Sequence, residues 1–212
     1  MDMEHPVFGS IDYASDQWEG QVVVPFFAGY DHPPLLLLGD YERPLDDWKK
    51  ELLQEGLFDL VIQDEAGTGP TQAQERAFVH FQENQDAICS SVAAAIFQYY
   101  QEGYEDFELQ TFGLSKAAKA AAIETLLPVL EGVDGLKRLV RLGTMYVLEG
   151  MGLSNLGEAK PETPTKANDW SELGFAFSCT WDVEHKLGVL FHRDTVVRVG
   201  GSDVAWTTLD DY

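Results

Sequence analysis

This chain has little positive charge: 14 lysines and arginines stand against 36 acids, for a net charge of −22. A field of that sign repels nucleic acid and anionic membrane, so neither is an expected partner. Cysteine is nearly absent. Cys89 and Cys179 lie far apart in apolar contexts, which fits buried thiols in a reducing compartment rather than a disulfide scaffold. No apolar run approaches the ~18 residues of a membrane span. One such run, Leu35 to Leu38, is strand-sized. The opening MDMEHP has no basic stretch leading into an apolar one, so a cytoplasmic location is expected.

The usual catalytic signatures are missing too. Gly29 and Gly39 do not form a nucleotide loop, and Gly200-Gly201-Ser202 lacks the lysine of a phosphate cradle. There is no GxSxG elbow. Ser90 and Ser91 sit on an alanine-rich helix, a poor place for a nucleophile. His80 has no second histidine or cysteine at helical spacing and reads as a surface or half-buried side chain. No cofactor is implied.

Apolar content is ordinary at 45%, so a packed core is expected. Val7 to Tyr13 and Trp18 to Val24 read as paired strands across Ala14-Ser15-Asp16. Phe26 to Tyr30 reads as an aromatic segment packed into the core, and Leu35 to Leu38 as a third strand. Pro44 opens a short helix to Glu55, with Trp48, Leu52 and Leu53 on one side. Leu57 to Gln63 is a candidate strand. Thr71 to Gln101 is the main helical region, its apolar stripe running from Phe78 to Tyr99. Asn84 is placed to break it and to cap a second helix. Leu114 to Leu127 is helical, Val133 to Leu139 a helical turn, and Val140 to Leu148 a strand. Residues 150–170 are rich in Gly, Pro, Ser, Asn and Thr and read as a polar loop insertion.

The densest chemistry lies in FAFSCTWDVEHKLGVLFHRDTVVRVGGSDVAW, Phe175 to Trp206. Phe175, Phe177 and Cys179 alternate with small residues, the period of a half-buried strand. Leu187 to His192 and Thr195 to Val199 read as two further strands around an Arg193-Asp194 turn. The expected architecture is therefore one α+β domain over residues 1–212: an N-terminal antiparallel β-unit, central helices and a C-terminal antiparallel sheet.

The pattern FxCTWDxEHxLGVL followed by VGGxDVAW resembles the ending of an uncharacterised bacterial domain family. The opening HPVFGSIDY and the central PTQAQERAFVHFQENQDAICSSVAAAIFQYY resemble related sequences as well. Members look like immunity or accessory proteins encoded beside bacterial toxins. Lys186 departs from that pattern, standing where a glycine is expected after Glu-His.

Three functional expectations follow. Residues 1–110 carry a balance of −18, residues 111–160 of +1 and residues 161–212 of −5. An acidic interaction module of the immunity type would meet a basic protein, such as a toxin domain, through its acid-rich part. The candidates for that surface are Asp46, Asp47, Glu102, Glu105, Asp106 and Glu108, with Tyr104 and Phe107 as aromatic anchors. The alternative is an enzyme or metal-binding protein using Asp182, Glu184, His185 and His192. Against it, adjacent Glu184 and His185 point apart if extended, and a structural loop in which Asp182 or Glu184 bonds backbone amides of the Gly200-Gly201 turn, with Trp181 and Trp206 beneath, is the competing reading. A cytosolic scaffold with a neutral partner is the third.

Overall fold

Residues that alternate between apolar and polar build a sheet with one dry face and one wet face. The computed structural model describes residues 1–31, 47–64, 67–103, 115–149 and 170–208. Its strands are β1 (Asp2–His5), β2 (Gly9–Ala14), β3 (Gln17–Val23), β4 (Leu57–Gln63), β5 (Val140–Val147), β6 (Leu173–Cys179), β7 (Leu187–His192) and β8 (Thr195–Gly200). Its helices are α1 (Asp47–Gln54), α2 (Gln72–Glu83), α3 (Gln85–Gly103) and α4 (Lys116–Leu126). The protein is α+β.

The eight strands form one sheet in chain order. Every junction is antiparallel except β4–β5, which is parallel. A parallel junction needs a long crossover, and α2, α3 and α4 supply it. The N-terminal and C-terminal β regions are therefore halves of a single sheet joined at β4–β5. That join was not legible in the strand patterns, which carry no pairing direction. β1 was also unforeseen, because Asp-Met-Glu-His has almost no apolar signal. The stretch Leu35–Leu38, read as a strand, lies outside the described residues.

One large core sits on the inner face of the sheet. Ile11, Trp18 and Val22 from the first strands meet Phe78, Phe81, Ile88, Val92 and Ile96 from α2 and α3 there. Tyr100 rather than Tyr99 ends the stripe fully buried, its ring 4.9 Å from Trp181 and its hydroxyl donating to the Pro128 carbonyl. The helical region does break at Asn84. Its side-chain amide donates back to the His80 carbonyl, and its own carbonyl accepts from Ile88 N–H. Thr71 and Gln74 close a reciprocal capping box at the start of α2. Pro25–Phe27 form a 3-10 turn with Phe27 and Tyr30 buried edge-to-face, so these aromatics are core, as expected.

The outer face is covered unevenly. The C-terminal 3-10 turn, Ser202–Ala205, lies directly on β6 and β7. Two glycines make that approach possible. A Cβ on Gly174 would sit 1.6 Å from the Ala205 carbonyl oxygen, and one on Gly188 would sit 2.5 Å from that of Gly201. This is why β7 is buried along nearly its whole length while β2 and β3 alternate.

Candidate functional site

The outer face of β1–β3 carries charge in register. Asp2 lies opposite Asp12, and Asp12 opposite Glu19, so three exposed acids form a row across three strands. Like charges directly opposite destabilise a sheet. Their closeness shows in Asp12, whose carboxyl is pushed above its ordinary value by sharing a hydrogen bond with Asp2 and by its charge. Sequence reading missed this row because the acids are scattered along the chain and only the register joins them.

Of the residues expected to meet a partner, Glu102 is exposed near the end of α3 and accepts a hydrogen bond of 2.7 Å from the Gln98 amide. Asp47 begins α1. Asp46, Tyr104, Glu105, Asp106, Phe107 and Glu108 lie outside the described residues.

The Asp182–His192 set does not converge. Asp182 Oδ1 accepts from the His185 backbone N–H at 2.9 Å and lies 3.2 Å from the His185 ring Nδ1. His192 stands at the far end of β7, roughly 20 Å along the strand. Its Nδ1 is 3.2 Å from Glu172 Oε1. Glu172 is buried, and its other oxygen has no hydrogen-bond partner among the described residues. Glu184 is exposed. Among the described residues no three His, Cys, Asp or Glu side chains are gathered as a metal site requires.

At Asp182 the loop is built differently from expectation. Asp182 bonds within its own turn, and it is the His185 carbonyl that accepts from Ser202 N–H, at 2.8 Å. Trp181 is buried against Tyr100, but Trp206 is 40% exposed, with its ring 5.9 Å from Tyr146. Only one of the two tryptophans packs beneath the loop. Lys186 adopts φ +60, the left-handed region that favours glycine.

Both cysteines are free and buried. Burial, with Asp86 adding to it, pushes the Cys89 thiol up to about 12. It therefore stays protonated and unreactive at neutral pH.

A groove of about 360 Å³ also opens on the outer face, between α1 and the C-terminal turn. Asp59, Thr144 and Ala176 form its floor, and α1 contributes Trp48 and Lys49. Arg141 reaches it too and is paired with Asp31 at 3.3 Å. No sequence motif announced this groove, because its residues come from α1, four strands and the C-terminal loops.

A family model described as a domain of unknown function (DUF6985) matches residues 37–152 and 157–206. No curated protein and no solved structure matches the chain.

Proposed function

We propose that this chain, which belongs to the DUF6985 family, is an acidic protein-binding module that takes a basic partner on the outer face of β1–β3. The observation that carries this reading is the in-register row of Asp2, Asp12 and Glu19 on a face that the main helices leave uncovered. Three carboxylates set side by side cost the sheet stability, and a partner rich in lysine and arginine would offset that cost on binding. The net charge of −22 adds long-range attraction for such a partner. An immunity-type role, in which the partner is a basic bacterial toxin held inactive in the cytoplasm, fits the same chemistry. It needs no catalytic residue in this chain.

The test is affinity capture from the native host followed by association kinetics across a salt series. The expected partner is basic, and its association slows as salt rises. Asp12→Lys with Glu19→Lys should slow association about tenfold at low salt and flatten the salt dependence, with an unchanged circular dichroism spectrum. Capture of only neutral or acidic partners, indifferent to salt, would overturn the proposal.

A further inference from the structure

We propose that the outer-face groove between α1 and the C-terminal turn binds a small organic anion carrying a planar aromatic body. This site is separate from the acid row and does not depend on it. Three observations converge there. First, Trp48 and Trp206, 56% and 40% exposed, both line the groove, Trp48 on α1 and Trp206 at the end of the C-terminal turn. Water-facing indoles cost free energy unless something planar covers them, and offset or edge-to-face stacking would do so.

Second, the groove gathers positive charge in a chain that has little of it. Lys49, Arg141 and Lys186 line it against one acid, Asp59. Arg141 is engaged by Asp31, but among the described residues no carboxylate pairs with Lys49 or Lys186. Lys49 Nζ stands 5.6 Å from the centre of the Trp48 ring, so ring and cation are presented together. Two ammonium groups with no carboxylate partner among the described residues make a local positive site that offsets the repulsion of the chain's net charge of −22 for an anion.

Third, Lys186 occupies a backbone conformation that glycine would adopt without strain, at φ +60. A lysine there costs stability, and its position on the groove supplies a use for the side chain. The volume of about 360 Å³ lies within the range of small-molecule sites. The ligand class is thus an aryl carboxylate or an aryl phosphate: one flat ring for the tryptophans and one anionic group for the lysines.

The experiment is titration of the full chain, followed by tryptophan fluorescence and calorimetry, with three probes: indole-3-acetate, phenyl phosphate and the neutral indole-3-acetamide. Saturable binding of at least one anion, about tenfold tighter than the amide, is expected, and the preferred anion identifies carboxylate or phosphate. Lys186→Gly is the informative variant, because it relieves the backbone while removing the charge. It should raise the melting temperature and weaken anion binding about tenfold. Trp206→Ala should weaken the anions and the amide alike. Failure of both anions to bind, binding equal to that of the amide, or full affinity in Lys186→Gly would each overturn the proposal.

Discussion

Ile11 and Asp12 are neighbours on β2. Ile11 is 1% exposed beneath the helices, while Asp12 faces outward between Asp2 and Glu19. The same division runs through two aspartates. Asp64, at the end of β4, is buried, yet its carboxyl lies below its ordinary value. Burial alone would raise it, but donors from Gly69 N–H at 2.8 Å, the Trp18 indole at 2.9 Å and Thr68 N–H at 3.0 Å outweigh that. Asp12 is exposed and is shifted upward, because what surrounds it is other carboxylates. Exposure does not decide the comfort of a charge in this sheet; the partners do. The inner side gives its acid hydrogen-bond donors from Trp18, Thr68 and Gly69, with Gly67 adding to them, whereas the outer side sets acids against acids.

The largest effect that would break this contrast is on the inner side. Ile11→Ala should cost about 3 kcal/mol in chemical denaturation, since the lost methyls leave a void beside Gly20, which has no side chain to fill it. Asp12→Ala, one residue away, should leave the stability at the wild-type level or above it. Equal losses at the two positions would mean that the outer face is packed as tightly as the inner.

A smaller effect tests where the outer face stops being open. Gly174→Ala places a methyl where the Ala205 carbonyl oxygen lies, 1.6 Å away. The turn Ser202–Ala205 must lift, costing about 2 kcal/mol and exposing the chain near Trp206 to protease. Ala at Gly143, whose Cβ would find its nearest neighbour at 3.6 Å, should be tolerated and serves as the control.

Such positions show what the sequence conveys. Alternation announced β2, β3 and β6, and the start of the helical region at Thr71 and its break at Asn84 marked the helices, because these signals are local. The union of the two β regions, the acid row and the groove were hidden, because each depends on which strands pair and in what register. Lys186 was legible in part. The resemblance marked it as a departure from glycine, and the left-handed backbone gives that departure a physical meaning. The Asp182, Glu184, His185 and His192 cluster read as one site because four residues lay close in sequence, but β7 carries His192 away from the rest.

The finest discrimination between the two faces is in their pH dependence. Asp64 has its folded pKa below the ordinary 3.8, so between the two values the unfolded chain binds more protons. Its stabilisation is present above 3.8 and is lost as pH falls through the folded value. Asp64→Asn should therefore cost about 1–2 kcal/mol at neutral pH, through a weaker acceptor for Trp18 and Gly69, and progressively less in acid. Asp12 runs the other way. Its folded pKa is raised above 3.8, so the folded chain holds the proton more tightly, and stability rises as pH falls from that raised value towards 3.8. Asp12→Asn should remove this acid-side gain, and the difference between wild type and variant should shrink at high salt, which screens the charge of Asp2 but not its hydrogen bond. Melting temperatures of the two asparagine variants, taken from pH 7 to pH 3 at low and high salt, check both signs. A curve for Asp12→Asn parallel to the wild type at low salt would mean that Asp2 and Asp12 do not share their charge, and would remove the physical basis for reading β1–β3 as a surface that waits for positive charge.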